Sequence, residues 1–510
     1  MEFVFSSLTY LLLFVLTAVL LFLIRDEVKT KRVNEDTGEG LLEPPAPKSW
    51  PIIGHLYLMA RYKVPYRVFR EIMADLGAVF RMELGSVPCV VVNGLQNIRE
   101  VLMIKGDHFD SRPSFRRFNQ LFKGDKNNSL AFCDWSQLQK SRRELLRAHT
   151  FPHAASSMYN RLDQCVKTEL AELTDTVDAM SDTGCVDLKN ILLHSCANMF
   201  MSYFCSARFS KSYDRFRNFV RNFDEVFYDV NTGSACDFLP WLTPLYRRHF
   251  NKLRTWSSSI RQFMVTEIFE RRRSAWTVDS KPTDFVDSIL EACAQPERDD
   301  GFNADIGLFA LEDIIGGHSA VTNFIVKALG FLVERPDVQQ RVQEEADAAV
   351  RVSGNIGLAD RCQMPYTEAV VYETIRLIAS PIVPHMANRD TSVAGMRIPK
   401  GTTVFVNNYD LNMSPELWEN PEHYDPERFI NEEGRLEKPD HFIPFSGGKR
   451  SCMGYKLVQL ISYCTIATLL HKYFLLPVED VSYSVPKGNL ALPYSTYPFK
   501  LRKRTAEFKK

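Results

Sequence analysis

The 510-residue sequence predicts one large, mainly α-helical unit with small β-sheets. Helical apolar patterns dominate most of the chain, with one hairpin-like stretch at 79–92 whose alternation is centred on Gly85 and Pro88. No Gly/Ser linker, repeat or low-complexity tract divides the middle, so a single unit is favoured over several domains. The helical patterns lie at 136–147, 159–180, 255–273, 306–333 and 336–350.

Residues 8–24 form an almost unbroken apolar run, which predicts a transmembrane helix. The run is slightly short of the roughly 20 residues that a spanning helix needs, and residues 3–7 extend it. Four basic residues follow between positions 25 and 32, and such residues keep their side of the membrane cytoplasmic. Glu2 and the lack of an N-terminal basic region argue against a cleaved signal or a mitochondrial presequence. We therefore expect an uncleaved signal anchor at 1–24, with a secretory signal peptide as the alternative.

Residues 25–50 are predicted to be a basic linker and a proline-rich hinge before the main body at 51–510. Pro44, Pro45, Pro47 and Pro51 each fix their own φ and restrict the preceding residue. The segment is therefore expected to be extended and stiff, and to hold the body at a set angle to the membrane.

Charge and cysteine content narrow the functional classes. Lysine plus arginine and aspartate plus glutamate are equal at 62 each, so no global field recruits nucleic acid, and none is expected as a partner. Eleven irregularly spaced cysteines suit a reducing compartment better than a secreted disulfide framework. The body is therefore expected in the cytosol.

Residues 445–454 read Phe-Ser-Gly-Gly-Lys-Arg-Ser-Cys-Met-Gly and fit a loop that presents the sulfur of Cys452 to a haem iron. A thiolate ligand needs amide hydrogens around it and little side-chain bulk. Gly448 and Gly454 are expected to give the turn its freedom, and the apolar helical run that follows brings the positive end of its dipole to the sulfur. The alternative is a buried structural cysteine beside a glycine turn.

The spaced pattern Phe-x-x-Gly-x-Arg-x-Cys-x-Gly resembles the haem signature of the cytochromes P450. The resemblance implies the P450 haem-thiolate fold of the microsomal type, haem b (iron protoporphyrin IX) as cofactor, Cys452 as the metal ligand, and monooxygenase activity. In this pattern Phe445 shields the sulfur, and Arg450 reaches a haem propionate by a charge-assisted bond.

The same resemblance implies further donors to the haem propionates and one departure. Four residues after Trp135 the family usually has a basic residue, and here it is Gln139, for which we expect Lys140 or Arg142 to compensate. The side chains expected to meet the propionates are Arg112, Trp135, His385 and Arg450.

Glu373 and Arg376 are three residues apart on a predicted helix, and Arg428 follows in a turn-rich stretch. By resemblance the three form a buried scaffold near the haem loop with a structural role. By spacing alone, Glu373 and Arg376 would be a solvated helix pair.

The predicted helix at 306–333 departs from the usual acid–alcohol pair of the monooxygenases, because Ser319 and Ala320 stand at those positions. Splitting dioxygen needs protons in a dry pocket. We expect Gly316 and Gly317 to loosen the helix and admit water, which Ser319, His318 or a substrate hydroxyl would order. Two alternatives remain: a P450 that rearranges or dehydrates a peroxide, and a Ser319 that only bonds back to its own helix.

No nucleotide-binding glycine fingerprint follows a strand, so the electrons are expected from NADPH–cytochrome P450 reductase, with cytochrome b5 as a further candidate. The expected docking surface is basic and includes Lys140, Arg143, Lys449 and Lys456.

Residues 237–246 are aromatic and proline-broken, and similar proteins place this region at the membrane-facing mouth of the pocket, which favours a lipophilic substrate. At 316–320 and 380–390 the chain resembles the insect Halloween enzymes, which implies an endoplasmic reticulum protein of ecdysteroid synthesis. The implied step is an early oxidation of the sterol 7-dehydrocholesterol toward the ketodiol. The alternatives are a broad detoxifying monooxygenase, an isomerase or dehydratase, and a sterol-binding haem protein without turnover.

Overall fold

The computed structural model describes residues 40–62, 66–154, 156–180, 185–278, 281–295 and 300–504. The predicted anchor at 1–24 and the basic part of the linker lie outside these residues. The helices, in chain order, are α1 Leu56–Met59, α2 Tyr66–Leu76, α3 Leu95–Arg99, α4 Gln137–Thr150, α5 Ser157–Met180, α6 Leu188–Cys205, α7 Asp214–Asn231, α8 Ala235–Phe238, α9 Arg247–Phe263, α10 Glu270–Ala275, α11 Phe285–Ala294, α12 Ala304–Leu332, α13 Pro336–Ser353, α14 Pro365–Ile378, α15 Asn408–Met413 and α16 Tyr455–Lys472.

Eight short strands form three sheets within the described residues. The largest has the order β1-β2-β6-β3, in which β2 and β6 are parallel and the other neighbours antiparallel. The other two sheets are the pairs β4-β5 and β7-β8. The strands are β1 Val79–Leu84, β2 Val87–Val92, β3 His385–Met386, β4 Thr391–Val393, β5 Met396–Ile398, β6 Thr403–Val406, β7 Tyr473–Leu476 and β8 Lys500–Lys503.

The predicted mainly helical class is confirmed, and four of the five predicted helical segments have ends within three residues of the observed ones. Ser136 is the N-cap of α4 and not its first residue, because its side chain accepts a hydrogen bond from the Gln139 amide. The predicted helix at 255–273 begins earlier, at Arg247, and continues through a π-helical segment into α10. In the predicted hairpin Gly85 lies in the turn, whereas Pro88 is paired within β2.

Two long helices, α6 and α7, escaped the sequence analysis. Helix α6 is buried on almost every side, so its sequence carries little amphipathic alternation from which a helix could be predicted. Helix α7 does have an apolar stripe, which includes Phe216, Phe219 and Phe223. That stripe packs against the protein core and covers α12 from one side.

Helix α12 crosses the centre of the protein and packs against α6, α7, α14 and α16. It runs without interruption from Ala304 to Leu332, so the loosening expected at Gly316 and Gly317 does not occur in its backbone. Added Cβ atoms at these glycines would lie 3.0 Å from the Phe223 ring and 3.2 Å from the Phe200 ring, so the glycines serve close packing. Among the described helices, α12 alone is long and apolar enough to span a membrane, yet most of its apolar window is buried in the protein core.

Glu373 and Arg376 are fully buried on α14 and form a bidentate ion pair with two N···O distances of 2.7 Å. Arg376 also donates to the carbonyls of Asn412 and Pro421, each at 2.8 Å. Arg428 lies 3.5 Å from Glu373, and Glu373 accepts the Asp425 amide at 2.9 Å. The cluster therefore ties α14 to the irregular segment that leads into the 445–454 loop.

We predict that Glu373→Ala destabilises the protein by about 3–5 kcal/mol, because it leaves the Arg376 guanidinium buried without its counter-charge. The free energy of unfolding in urea measures this. The matched control is Glu433→Ala, which removes an exposed ion pair with Arg435 and is expected to change stability by less than about 1 kcal/mol. Equal small changes in both variants would contradict the structural role of the buried cluster.

Candidate active site

The loop before α16 directs backbone amide groups at the sulfur of Cys452. Helix α16 begins at Tyr455, and the amides of Gly454 and Tyr455 donate hydrogen bonds to the sulfur. The Cys452 amide itself donates to the Phe445 carbonyl at 3.0 Å, which closes the turn. Burial raises the pKa of the Cys452 thiol, whereas these two amides and the charge of Arg143 lower it. The sulfur thus sits in a setting that supports a thiolate when a metal ion is bound.

The two loop glycines have different roles, which corrects the expectation that both supply conformational freedom. Gly448 has a φ of +64°, and an added Cβ would lie 2.2 Å from the Leu102 carbonyl oxygen. Gly454 has a φ of −92°, and an added Cβ there would have no heavy atom within 4 Å. Gly448 is therefore required by the turn, whereas Gly454 contributes its amide.

The Cys452 sulfur opens onto an internal cavity of about 400 Å³ between α12, α14 and the 445–454 loop. This explains why the side chain has accessible surface although protein surrounds it. The wall is mostly apolar, which suits a lipophilic molecule. Its apolar side chains include Leu130, Phe200, Phe227, Ile314, Ala320, Val321, Phe324, Ile375, Ile378, Ile382, Val383, Phe445, Met453, Val458 and Leu490.

Three guanidinium groups line one side of the cavity: Arg112, Arg143 and Arg450. Arg112 donates to the carbonyls of Val383 at 2.7 Å and of Ala131 at 3.2 Å. Arg450 donates to the same Ala131 carbonyl at 3.1 Å, and Arg143 donates to the Ser451 carbonyl. Burial, together with the charges of Arg450 and Arg143, lowers the pKa of Arg112 well below its usual value. Three buried guanidinium charges in one region repel one another, so a bound anion would stabilise them.

His385 completes this positive side of the site. It is 2% exposed, and its Nδ1 lies 2.6 Å from the Phe109 carbonyl, which therefore accepts the Nδ1 proton. Its Nε2 has no hydrogen-bond partner among the described residues. Burial and the charge of Arg112 lower the pKa of His385 well below its usual value, so the ring is neutral. A buried imidazole nitrogen without a partner indicates that a bound group completes the site.

The comparisons with known proteins agree with this geometry. A family model described as Cytochrome P450 matches residues 44–501. Cytochrome P450 307a1 of Drosophila melanogaster is 37% identical over 505 residues, which cover 94% of this chain and 92% of that protein. Cytochrome P450 1A1 of Homo sapiens is 29% identical over 500 residues, 93% of each chain, and that of Macaca mulatta is 30% identical over 475 residues, 88% of each chain.

The chain belongs to the cytochrome P450 family. It is therefore a haem-dependent monooxygenase, an oxidoreductase that takes electrons from a redox partner, and its cofactor is haem b. The residues present fit that cofactor, since a sulfur ligand with two amide donors faces the cavity, and three guanidinium groups and a free imidazole nitrogen lie to one side. The acidic propionates of haem are suitable partners for these cations.

The region around Trp135 differs from what the sequence predicts for the propionate donors of this P450. The Trp135 ring lies 6.0 Å from the Arg450 guanidinium and is not among the residues that line the cavity. Gln139 is buried and donates to the Leu130 carbonyl at 2.7 Å. Neither expected substitute takes the missing basic position, because Lys140 is exposed and Arg142 donates to the carbonyls of Asn127 and Asn128.

Arg143, which the sequence predicts for the docking surface, is instead the basic side chain of α4 that reaches the cavity. Arg143 lies one helical turn after Gln139 on the same face of α4. This four-residue spacing is visible in the sequence and could have identified Arg143 as the substitute. Burial lowers the pKa of Arg143 to about 10, and the Cys452 sulfur lies near enough to oppose that shift.

The structure does not bring His318 and Ser319 to the cavity, where Gly317 and Ala320 form the wall instead. The His318 Nδ1 donates to the Ile315 carbonyl at 2.7 Å, and its ring packs edge-on against Phe223. The Ser319 Oγ lies 3.5 Å from the His318 Nε2. Burial lowers the pKa of His318 to about 4. Direct proton delivery by either side chain is thus not supported by their positions.

Asp313 is the acidic side chain of α12 that does line the cavity, and the sequence analysis missed it. It lies four residues before Gly317 and seven before Ala320, hence on the same face of the helix. Once the structure shows that Gly317 and Ala320 line the cavity, the helical spacing places Asp313 on the same face.

We predict that Gly448→Ala strongly reduces haem incorporation, because the new Cβ meets the Leu102 carbonyl at a backbone angle that costs roughly 1–3 kcal/mol for a non-glycine residue. Haem content per purified protein measures the effect. Gly454→Ala, which keeps the amide and meets no atom, is expected to retain nearly full haem content. A loss of haem in Gly454→Ala alone would contradict this division of roles.

Proposed function

We propose that the chain oxidises a sterol, in an early step that converts 7-dehydrocholesterol toward the ketodiol of ecdysteroid synthesis. The observation that carries the proposal is the mostly apolar cavity with the Cys452 sulfur in its wall. Support comes from the relative in Drosophila, which matches nearly the whole chain, and from the sequence resemblance to the Halloween enzyme called spook.

In this proposal the Cys452 sulfur would bind the haem iron, and Arg112, Arg143, Arg450 and His385 would hold the propionates. When bound, haem supplies the activation of dioxygen with electrons from the reductase. The chain contributes the thiolate environment, the orientation of the cofactor by its charged side and an apolar wall that excludes water. Phe445 lines the cavity and packs against Tyr455, which supports its proposed role in shielding the sulfur.

Proton supply is the atypical part of the mechanism. Ala320 carries no hydroxyl into the cavity, and the Ser319 hydroxyl stays next to His318. A hydroxyl group of the substrate or an ordered water is therefore the proposed carrier at this point of the wall. Ser319 and His318 would act only indirectly, through the packing of α12.

Ala320 in the cavity wall also favours a second candidate, a P450 that rearranges or dehydrates a substrate already carrying a peroxide. Such a reaction needs neither external electrons nor a proton relay at this position. A broad detoxifying monooxygenase is the third candidate, since the apolar lining alone does not define the substrate.

For electron transfer we propose docking of NADPH–cytochrome P450 reductase beside the 445–454 loop, with cytochrome b5 as a further partner. Of the basic residues predicted for this surface, Lys140 is exposed and has only a 3.9 Å contact with the exposed Glu144, whereas Lys449 forms closer ion pairs with Asp107 and Asp110. Burial lowers the pKa of Lys456, and its side chain is only partly accessible. Lys140 is thus the strongest remaining contact of that group.

For the membrane we propose a contact surface in addition to the N-terminal anchor, on the cytosolic side of the endoplasmic reticulum. Trp50, Ile52, Trp241 and Leu245 are exposed by 57–79%. They belong to neighbouring segments, because the Gly85 amide donates to the Ile53 carbonyl and the Ser86 amide donates to the Phe238 carbonyl. Exposed aromatic and aliphatic side chains so grouped suit the membrane interface.

The test of the proposed function is turnover of 7-dehydrocholesterol with reductase and NADPH, followed by mass analysis of the products. We expect an oxidised product that requires NADPH and is absent with Cys452→Ala, whose reduced carbon monoxide complex also lacks the thiolate absorption band. Product made at full rate without NADPH would replace the monooxygenation by the peroxide rearrangement. Oxidation of unrelated lipophilic compounds but not of this sterol would favour the detoxifying enzyme.

We predict that the chain without residues 1–24 still binds haem and remains partly attached to phospholipid vesicles. Introducing Trp241→Asp and Leu245→Asp into it should weaken vesicle binding, since each apolar side chain contributes roughly 1–3 kcal/mol on burial. Sedimentation with vesicles measures this. Ile104→Asp, at an exposed apolar residue outside this surface, is the control and should bind as before. Loss of haem on truncation would instead assign residues 1–24 to the fold.

A further inference from the structure

Asp313 is an acidic side chain in an otherwise mostly apolar part of the cavity wall. Together with Gly317, Ala320, Val321 and Phe324 it forms one stripe along α12 that faces the cavity. Its helix neighbour Glu312 is buried and does not line the cavity, whereas Asp313 keeps accessible surface because it opens onto the cavity. A molecule in the cavity can therefore reach the carboxyl group.

Contacts with the 129–131 segment fix the position of this carboxyl group. Its Oδ2 accepts hydrogen bonds from the Ser129 hydroxyl at 2.8 Å and from the Leu130 amide at 2.5 Å. The Ala131 amide donates to the Ser129 hydroxyl oxygen at 3.0 Å and so orients that hydroxyl. The Ala131 carbonyl in turn accepts from Arg112 and Arg450. The 129–131 segment thus joins Asp313 to the charged side of the site and holds it rigidly.

Asp313 differs from the neighbouring acid in how its charge is balanced. The Glu312 carboxylate pairs with Arg261 at 2.6 Å. Among the described residues, Asp313 has hydrogen-bond donors but no ion-pair partner within 4.0 Å. Burial raises its pKa to about 6, although its hydrogen bonds and the charge of the more distant Arg142 lower it. A carboxyl group with a raised pKa in a cavity wall is a candidate for contact with a ligand.

We propose that Asp313 determines substrate specificity by hydrogen bonding a hydroxyl group of an otherwise apolar, polycyclic substrate. The inference deepens the sterol oxidation proposed above and rests on it for the identity of the substrate. Seven residues of α-helix separate Asp313 from Ala320, which corresponds to about 10 Å along the axis. The bound hydroxyl and the part of the substrate beside Ala320 are then about one fused ring system apart. For a sterol with a single hydroxyl group, the proton carrier beside Ala320 is then ordered water.

A neutral hydroxyl fits this carboxyl group better than an ammonium group does. A hydroxyl can donate to the ionised carboxylate and can accept from the protonated carboxyl group, so it can bind Asp313 in either form. Binding an ammonium ion would require the ionised carboxylate and would bury a second charge in an apolar wall.

The experiment measures dissociation constants with the haem-loaded full chain, from the change in the haem spectrum on ligand binding. One probe pair is 7-dehydrocholesterol and its analogue without the 3-hydroxyl group, and the other is a perhydrophenanthrene alcohol and its parent hydrocarbon. We expect the wild type to bind each alcohol about tenfold more tightly than its deoxy partner, as a hydrogen bond to a carboxylate provides.

Asp313→Ala should remove this preference while it leaves the affinity for the deoxy compounds within about twofold. Asp313→Asn keeps the side-chain volume and an acceptor, and should retain part of the preference, which guards against a folding defect in the alanine variant. Glu312→Gln changes the neighbouring acid and should keep the whole preference, because Glu312 faces Arg261 and not the cavity.

A preference that persists in Asp313→Ala, or that is missing from the wild type, would overturn the inference. Tighter binding of the corresponding amines than of the alcohols, lost in Asp313→Ala, would overturn it in favour of a cation site. If only the smaller alcohol shows the Asp313-dependent preference and 7-dehydrocholesterol does not bind, the sterol proposal fails while the role of Asp313 stands.

Discussion

The presentation of one sulfur atom at the start of a helix is the constraint on which the rest of the site depends. The amides of Gly454 and Tyr455 can point at the Cys452 sulfur only if α16 begins immediately after the loop. The loop can reach that position only because Gly448 passes over the Leu102 carbonyl without a side chain. The buried cluster of Glu373 and Arg376 then fixes α14 and the segment that enters the loop.

The 129–133 segment organises the opposite side of the cavity. Its carbonyl groups accept hydrogen bonds from Arg112 and Arg450, and its Leu130 amide donates to Asp313 on α12. This one loop therefore sets the distance between the proposed propionate donors, Arg112 and Arg450, and the Asp313 carboxyl group in the cavity wall. Apart from the Ser129 hydroxyl, these groups of the segment are backbone atoms, so the spacing depends on the fold of the loop more than on its side chains.

A second buried network closes the cavity from the C-terminal part of the chain. Lys189 on α6 pairs with Asp224 on α7 at 2.8 Å and donates to the carbonyls of Leu492 and Pro493. Asn323 on α12 donates to Asp224 and accepts from the Leu492 amide. These charges are fully hydrogen bonded, which offsets the cost of their burial and gives the segment a defined position. Leu490 is thereby held in the cavity wall.

The sequence by itself determined the mainly helical class, the long central helix, the cysteine loop and the family, because these depend on local patterns and fixed spacings. It identified Arg112, His385 and Arg450 as candidates through resemblance, and the structure brings them to one region beside the cavity. The buried helix α6 was beyond its reach, because a helix enclosed on all sides has no periodic pattern to detect.

Tertiary structure alone decided which side chains face the cavity. Around α12 adjacent residues point in directions about 100° apart, so Ser319 turns away while Ala320 lines the wall, and the sequence cannot fix that rotation. The same reason explains why Arg143 replaces Lys140 and Arg142, and why Asp313 was not predicted. The rotation of α12 about its own axis is set by its packing against α6, α7 and α14. These contacts join residues that are far apart in the chain.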